Sequence, residues 1–330
     1  MSKSPKPLEE VPYFSDLSTV EWAPARNGFG EGLLTAGKEN RNVLALCADL
    51  TESIRMEAFR KELPAQFLEI GVAEQNMMGI AAGLALSGKV PFVASYAVFN
   101  PGRNWDQLRV SVAYSQANVK IVGAHAGISV GPDGATHQAL EDVTITRVLP
   151  NLTVVVPTDI NEARKATLAI AAHKGPVYIR FGRDKVPTIT TAETPFVLGK
   201  ANIFKKGSDI TFVANGPLVY EALLAAQELA KEKIHAEVIA VPTVKPLDTE
   251  TIVASLKKTG AVVVAEEAQI NGGLGSAIAE CAGEHCPVPL ERVGVKDTFG
   301  ESGTPSELMD AYGLRSTNII AAAKRVLKRK

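Results

Sequence analysis

Short apolar runs rich in β-branched residues alternate along the chain with longer, Ala-rich segments. In the first half the runs are NVLALCADL, KVPFVASYAVF, NVKIVGAH, LTVVVP and GPVYIRF, and in the second half DITFVANG, HAEVIAVPTV and AVVVAEEA. Strands that are buried on both faces have continuous apolar sequences, and strands that alternate with helices build parallel sheets with helices on both faces. The pattern therefore predicts an α/β fold with mainly parallel sheets.

The alternation stops between residues 186 and 207, where turn residues are frequent and no helical period is visible. We predict a linker over residues 189–207, which separates a first domain at residues 21–188 from a second at residues 208–330. Both have an ordinary domain size. Residues 1–20 contain Pro and Ser without any periodicity, and we expect a loose N-terminal arm there. Asp159, with Glu162 three positions later, predicts the start of a helix.

Charge and composition exclude several classes of function. The 35 basic residues nearly balance the 36 acidic ones, so neither nucleic acid nor an acidic membrane surface is an expected partner. Three cysteines at uneven spacing give neither a disulfide framework nor a zinc site. No segment reaches the roughly 20 apolar residues that a membrane-spanning helix needs, and the first residues lack the apolar core of a signal peptide. We expect a cytoplasmic protein.

The polar segment AHAGISVGPDGATHQALED follows the predicted strand NVKIVG. It should leave the sheet at a carboxyl end, where open α/β sheets bind ligands. His125, Asp133 and His137 lie within it, and a long Gly-rich loop with these side chains is a candidate site. Without a cysteine or a closely spaced His pair, metal ligation explains them poorly. Arg183, just past the strand VYIR, could bind a phosphate at the same edge.

Glu74 opens a stretch in which no residue is charged before Lys89, EQNMMGIAAGLALSG. Such a segment predicts a helix that is buried on nearly every side. A first-turn glutamate usually interacts only with the helix dipole, but an isolated buried carboxylate is costly unless something bonds to it. Because Tyr96 and Phe99 end the next predicted strand, a flat heterocycle with a ring nitrogen would suit Glu74.

Two glycine-rich stretches give weaker signals. GFGEG at residues 28–32 has no predicted strand before it and is a poor dinucleotide loop. NGGLGSA at residues 271–277 lies between a predicted strand and a helix, and it could either cradle a phosphate or form a tight turn. We favour the turn.

Several of these segments together resemble the C-terminal half of transketolase, and especially of transketolases that are split into two polypeptides. The resemblance runs from ARNGFGEG to the end of the chain. It is carried by GVAEQ, by DGATHQ, and by the closing VVAEE, GGLGSA and GVKDTFGESG. It implies two three-layer α/β domains, the pyrimidine-binding domain and the transketolase C-terminal domain of thiamine diphosphate enzymes.

The resemblance also implies roles toward the cofactor, thiamine diphosphate. Glu74 would bond the ring nitrogen of its aminopyrimidine and so promote formation of the ylide nucleophile. Phe99, with Tyr96 nearby, would stack on that ring, and Asp49 would lie near the thiazolium side.

Further positions match residues that bind the sugar phosphate substrates of transketolase. His125 would contact sugar hydroxyls, Asp133 would recognise their stereochemistry, and His137 would shuttle protons near the carbon that is transferred. The terminal phosphate would be bound at three positions, which are Arg183, Arg26 and Ser53.

The GDG motif with its downstream Asn, which holds Mg²⁺ and the diphosphate in this family, does not occur in the sequence. The resemblance therefore implies a partner, an N-terminal transketolase subunit, in a heterotetramer (α2β2) that transfers ketol units in the pentose phosphate pathway. Two other enzymes remain possible, namely the β subunit of a 2-oxoacid dehydrogenase (E1) and deoxyxylulose-phosphate synthase. The first lacks DGATHQ in this form, and the second does not normally have His at the position of His125. A scaffold subunit without activity would not need Glu74 and the other site residues together.

Overall fold

The structure is a computed structural model that describes residues 9–330. Its strands, in chain order, are β1 (Trp22–Pro24), β2 (Val43–Cys47), β3 (Phe67–Glu69), β4 (Val90–Tyr96), β5 (Lys120–Ala124), β6 (Thr153–Val155), β7 (Val177–Arg180), β8 (Lys185–Pro187), β9 (Asn202–Lys205), β10 (Ile210–Ala214), β11 (Ala236–Ala240), β12 (Thr243–Lys245), β13 (Val262–Gln269) and β14 (Leu290–Val295).

The α-helices are α1 (Ala25–Glu39), α2 (Glu57–Glu62), α3 (Glu74–Leu86), α4 (Trp105–Gln107), α5 (Asp142–Arg147), α6 (Ile160–Ala172), α7 (Leu218–Lys231), α8 (Thr249–Thr259), α9 (Leu274–His285), α10 (Pro305–Ala311) and α11 (Ser316–Leu327). Helix α4 continues as a π-helix over Leu108–Tyr114, and short 3₁₀ helices span Pro64–Gln66 and Ile128–Asp133. Within residues 9–330, every helix is too short or too polar to span a membrane.

The first domain contains a seven-stranded sheet in the order β12-β6-β7-β5-β4-β2-β3. All neighbours are parallel except β12, which pairs with β6 in the antiparallel direction. Helices α1 and α6 pack on one face of the sheet, and α3 with the π-helix packs on the other. The continuous apolar runs are therefore buried between two helical layers, as the sequence predicted.

The second domain contains a five-stranded sheet in the order β14-β13-β10-β11-β9, parallel except for β9. Helices α7 and α11 cover one face, and α8 and α9 the other. The layer that contains α8 and α9 is continuous with the α3 side of the first domain. The predicted fold class, two α/β domains with mainly parallel sheets, is confirmed.

Two short strands depart from the predicted boundary between the domains. Strand β9 lies inside the predicted linker, 189–207, but its Asn202, Ile203 and Phe204 are buried as an edge strand of the second sheet. Strand β12, from the second half of the chain, completes the first sheet. Both strands are antiparallel additions at sheet edges, and segments this short have no periodicity by which the sequence could assign them.

The predicted loose arm is wrong for residues 9–20, whereas residues 1–8 lie outside the described part of the chain. Glu10 and Tyr13 form bridges with Ile203 and Thr190, and Leu17 is 3 % exposed against the second domain. The segment contacts the second domain through isolated bridges and single side chains. Its sequence therefore shows no helical or strand period.

The predicted cap at the start of α6 is confirmed. The side chain of Asp159 accepts hydrogen bonds from the backbone N–H groups of Asn161 and Glu162. These two donors would otherwise have no partner within the helix, so the aspartate fixes where α6 begins.

The GFGEG stretch lies within α1 and is not a phosphate loop. Gly28 and Gly32 face α6, and a Cβ at Gly28 would overlap the carbonyl oxygen of Ile160. These glycines let the two helices approach closely, so their function is packing.

Gly28→Ala should lower the free energy of unfolding by roughly 1–3 kcal/mol, because the added methyl group has to push α1 away from backbone atoms of α6. Gly283→Ala is the matched control, since a Cβ there meets nothing within 4 Å inside helix α9. The control should leave the stability unchanged or raise it by up to about 1 kcal/mol. Denaturant unfolding followed by circular dichroism measures both, and equal effects of the two substitutions would contradict this packing role.

Candidate active site

The predicted site residues gather at one edge of the first sheet because neighbouring parallel strands end there. Asp49 follows β2, Glu74 follows β3, Tyr96 ends β4, His125 follows β5 and Arg183 follows β7. Strands β2, β4, β5 and β7 are neighbours in the sheet, with β3 at its edge. Segments that are distant in the sequence thus deliver their polar ends to a common surface.

Glu74 is the first residue of α3 and is 1 % exposed. Its carboxylate accepts a hydrogen bond from the hydroxyl of Ser95 at 3.3 Å and from the guanidinium of Arg103 at 2.7 Å. The side-chain amide of Asn104 donates to its backbone carbonyl at 3.1 Å. A buried carboxylate at a helix N-terminus is thereby compensated by one hydroxyl and one cation from the adjacent strand and loop.

The helix that begins with Glu74 was predicted to be buried on nearly every side, and this prediction is wrong. One face is buried and contains Met77, Met78, Ala81 and Ala82, whereas the opposite face is exposed and contains Gln75, Asn76, Gly79, Gly83 and Leu86. Val72, just before the helix, is 70 % exposed and Leu86 is 68 % exposed. An apolar sequence predicts burial without specifying which molecule covers it, and here the chain itself covers only one face.

Four aromatic rings line the site beside Glu74. The rings of Tyr96 and His125 are stacked with centroids 4.0 Å apart, and Tyr96 lies 6.4 Å from Phe99 at an interplanar angle of 21°. The ring of His137 meets Phe99 edge-on at 5.6 Å. Tyr96, Phe99 and His137 are only partly buried. A flat ligand could stack on Phe99 and reach the carboxylate of Glu74 only in place of Arg103, whose guanidinium lies over the Phe99 ring and bonds that carboxylate.

His125 is 1 % exposed and has a left-handed backbone conformation with φ of 51°. Its Nε2 lies 3.3 Å from the guanidinium of Arg26. Because a guanidinium can only donate, Nε2 accepts and the proton is on Nδ1, which has no partner among the described residues. Burial, together with the charges of Arg26 and Arg183, lowers the pKa of His125 to about 3. His125 is therefore a neutral imidazole with a buried Nδ1–H that no group within residues 9–330 accepts.

Positive charge collects on the same side of the site. Arg26 donates to the carbonyl oxygen of Ser53 at 2.7 Å, and burial lowers the pKa of Arg26. Arg183 forms an ion pair with Asp133 at 3.1 Å and bonds the carbonyl oxygen of Val130 at 3.2 Å. Arg183 and Asp133 are each partly exposed. Two guanidinium groups near one neutral histidine make a site suited to an anionic group of a ligand.

Asp49 and Ser53 belong to the turn that follows β2. Asp49 has a φ of 58°, and its backbone N–H donates to the carboxylate of Glu69 at 2.8 Å. The same carboxylate accepts from the hydroxyl of Thr51 at 3.1 Å. Glu69, which sequence reasoning missed, thus holds the turn that carries both predicted residues.

The second domain supports the loop that carries His125, Asp133 and His137. The carboxylate of Glu267 accepts from the backbone N–H of Ser129 at 2.7 Å, and Gln138 donates to the carbonyl oxygen of Glu301 at 2.9 Å. At the base of the loop, the ion pair between Arg180 and Asp142 at 2.8 Å is almost completely buried. The loop is therefore fixed between both domains.

The NGGLGSA stretch forms a turn, as predicted. The carboxylate of Glu266 accepts from the backbone N–H groups of Leu274 and Gly275 at the start of α9. A phosphate would compete with this carboxylate for the same donors, so the glycines serve the close approach of strand and helix.

Arg103 is the site residue that sequence reasoning missed most completely. It lies in the irregular segment after Phe99, and its guanidinium carbon is 4.4 Å from the centre of the Phe99 ring. An arginine in a segment without periodicity looks like a surface charge, and its proximity to Glu74 depends on how the segment folds back. In the sequence, the only indication of its role is that a positively charged residue closely follows the predicted aromatic residues Tyr96 and Phe99.

Comparison with known proteins gives the class of this site. Residues 23–188 match the family described as "Transketolase, pyrimidine binding domain", and residues 199–319 match "Transketolase, C-terminal domain". The chain therefore belongs to the transketolase family.

Several relatives are named as transketolase subunits, and one solved structure is titled as a split gene transketolase. The chain is 47 % identical to the 6-deoxy-6-sulfo-D-fructose transketolase subunit SqwH of Clostridium sp. (strain MSTE9), over 92 % of this chain and 95 % of that protein. It is 38 % identical to an apulose-4-phosphate transketolase subunit of Phocaeicola vulgatus, over 92 % of this chain and 97 % of that protein. A structure titled "Split gene transketolase, inactive beta4 tetramer" superposes with a TM-score of 0.87 at 44 % identity, covering 92 % of this chain and 98 % of that one.

The residues present fit one part of the cofactor of this family. The buried carboxylate of Glu74 and the partly exposed ring of Phe99, both in contact with the flat guanidinium of Arg103, suit an aminopyrimidine, because a buried hydrogen-bond acceptor near an aromatic surface matches a flat ring with polar edges. This fit does not extend to the part of the site that would bind the metal ion and the diphosphate. Residues 9–330 contain no cluster of three or more His, Cys, Asp or Glu side chains placed to hold a metal ion.

Substitution of His125 tests its neutral state through the pH dependence of stability. The folded-state pKa of about 3 lies below the ordinary value of 6.5, so the unfolded chain takes up the proton first on acidification. The stabilisation from a neutral His125 is complete above pH 6.5 and is lost as the pH falls from there through about 3. His125→Gln cannot be charged and should show a smaller loss of unfolding free energy across this range.

Denaturant unfolding at several pH values measures the difference between the wild type and the variant. His285→Gln is the control, since its side chain is 48 % exposed. If His125→Gln and the wild type lost stability in parallel on acidification, the buried neutral imidazole would be contradicted.

Proposed function

We propose that the chain is the C-terminal subunit of a split transketolase, which transfers a two-carbon ketol unit from a ketose phosphate to an aldose phosphate and is active only with an N-terminal partner subunit. The observation that carries the proposal is the buried carboxylate of Glu74 at the carboxyl edge of the sheet, beside the ring of Phe99. When thiamine diphosphate is bound, it supplies the nucleophilic carbon to which the two-carbon unit is attached.

Glu74 is proposed to hold a proton shared with the aminopyrimidine ring nitrogen. Burial strengthens a hydrogen bond to a carboxylate, because water does not compete for it and the local dielectric constant is low. Ser95 orients one carboxylate oxygen from β4. The rings of Phe99 and Tyr96 are proposed to keep the pyrimidine flat against the sheet edge, and Asp49 to lie toward the thiazolium side.

The two histidines are proposed to act on the substrate. His125, neutral and with a free Nδ1–H, would donate a hydrogen bond to a sugar hydroxyl or carbonyl oxygen. The Nδ1 atom of His137 forms a hydrogen bond with the hydroxyl of Thr136 at 2.8 Å. Its Nε2 atom would then transfer protons near the reacting carbon. Asp133, on the same loop, would select the stereochemistry of the hydroxyls.

The anionic end of the substrate is proposed to bind at Arg183, Arg26 and Ser53. A guanidinium binds phosphate and sulfonate groups by paired hydrogen bonds. The names of two relatives refer to different anionic sugars, 6-deoxy-6-sulfo-D-fructose in one and apulose 4-phosphate in the other. The donor of this chain therefore has to be identified by comparing such sugars, and a place in the pentose phosphate pathway remains a prediction.

A partner subunit is proposed for two reasons. The part of the site for Mg²⁺ and diphosphate is expected on that subunit, and two exposed apolar residues, Val72 just before α3 and Leu86 at its end, lie on the same side of the chain's surface as the exposed face of the helix that begins with Glu74. A partner that completes the site would also cover this surface. The related structure that is titled an inactive β4 tetramer supports the idea that such a chain is inactive without its partner.

The assembly is proposed to be a heterotetramer (α2β2) in the cytoplasm. The alternatives named from the sequence are a 2-oxoacid dehydrogenase β subunit and a deoxyxylulose-phosphate synthase. Neither is favoured, because the relatives that cover nearly the whole chain are named as transketolase subunits.

Reconstitution tests the proposal. The purified chain with thiamine diphosphate and Mg²⁺ should show no ketol transfer, and addition of the N-terminal subunit should restore it, because the two chains each hold half of the site. The assay compares xylulose phosphate, 6-deoxy-6-sulfofructose and apulose 4-phosphate as donors, with pyruvate as the control donor. Robust turnover by the chain alone would refute the need for a partner, and preference for pyruvate would refute ketol transfer.

A further inference from the structure

Arg103 engages both groups that the proposed function assigns to the aminopyrimidine. Its Nη1 donates to Glu74 Oε2 at 2.7 Å, and its guanidinium carbon lies 4.4 Å from the centre of the Phe99 ring. The guanidinium is flat, carries hydrogen-bond donors at its edge and stacks on aromatic faces. An aminopyrimidine that stacks on Phe99 and bonds Glu74 needs the same two partners.

The backbone on both sides of Arg103 is fixed. Asn100 donates to the carbonyl oxygens of Val93 and Val122, both at 3.0 Å, and Asn104 donates to Asn100 and to the backbone of Glu74. Both asparagines are fully buried. The backbone position of Arg103 relative to Glu74 is therefore determined by the hydrogen bonds of the neighbouring asparagines.

The side chain of Arg103 can rotate away from Glu74 and Phe99. It is 45 % exposed, whereas the Glu74 side chain is 2 % exposed, and its guanidinium makes a single side-chain hydrogen bond among the described residues. Because the guanidinium is half exposed, its movement into solvent costs little on the arginine side, although the buried carboxylate of Glu74 then needs another partner. Rotation of Arg103 toward solvent would therefore expose Phe99 and Glu74 without disturbing the buried asparagines.

We propose that Arg103 occupies the pyrimidine position of the cofactor-free chain and is displaced when the cofactor binds, so that it sets the cofactor's affinity. This inference rests on the proposed function. In the free chain, Arg103 compensates the buried charge of Glu74, which would otherwise be costly. In the loaded enzyme it no longer contacts that carboxylate, and a proton can be shared between Glu74 and the ring nitrogen. Any interaction that stabilises Arg103 in the pyrimidine position lowers the affinity for the cofactor, because cofactor binding has to break that interaction.

The test uses the complex of this chain with its N-terminal subunit in the presence of Mg²⁺. Isothermal titration calorimetry with thiamine diphosphate should give a Kd for Arg103→Ala that is roughly three- to tenfold lower than that of the wild type, since the competing ion pair and stacking contact are gone. Arg103→Gln, which keeps most of the side-chain volume without the charge, should also bind more tightly. Thermal melting of each variant confirms that it is folded.

Arg109→Ala is the matched control, an exposed arginine six residues further along the same segment, and its Kd should equal that of the wild type. An unchanged or higher Kd in both Arg103 variants would overturn the inference, and a higher value would mean that Arg103 helps to bind the cofactor. Absence of binding by the wild-type complex and all variants would instead refute the proposed function. The two failures are therefore distinguishable.

Discussion

The arrangement of the first domain depends on keeping one carboxylate, that of Glu74, out of water. A charged group with 1 % exposure is tolerated only when its bonds replace those to the solvent. Here the bonds to the carboxylate come from the hydroxyl of Ser95 on β4 and the guanidinium of Arg103, while the buried amide of Asn104 donates to the backbone carbonyl of Glu74. Sheet, loop and helix are thereby tied together at the point where a ligand would enter.

The second domain contributes to the site although none of the predicted site residues belongs to it. Glu267 is buried, and its carboxylate bonds the loop that carries His125 and His137 through the backbone of Ser129. Burial raises the pKa of Glu267, and the charge of Arg180 opposes this shift. Because Arg180 also pairs with Asp142 at the base of the loop, the docking of the two domains and the shape of the loop depend on the same contacts.

Much of the fold could be predicted from the sequence because it follows from local pattern. Continuous apolar runs became the central strands, and Asp159 caps α6 as its position suggested. The convergence of Asp49, Tyr96 and His125 also follows from a general property of parallel sheets, without knowledge of any contact. Edge strands β9 and β12 could not be predicted, since three or four residues carry no period and their pairing is decided by distant partners.

The site was predicted less completely, for a related reason. The residue types that attract attention in a sequence are histidines, acids in apolar surroundings and aromatic residues at strand ends. Arg103 and Glu69 act through contacts that arise only when irregular segments fold back, and nothing in their local sequence marks them. The half-exposed helix α3 shows the opposite limit, because its apolar sequence predicts burial that this chain provides on one face only.

The most direct measurement of the central claim is the turnover of Glu74→Gln in the complex with the partner subunit. Glutamine preserves the shape and can still accept from Ser95, but it cannot share a proton as a carboxylate does. We predict a folded complex whose kcat/KM for ketol transfer is roughly 10²- to 10⁴-fold lower than that of the wild type, while Glu31→Gln, at an exposed position, has no effect. Unchanged turnover in a folded Glu74→Gln complex would contradict the proposed role of this carboxylate.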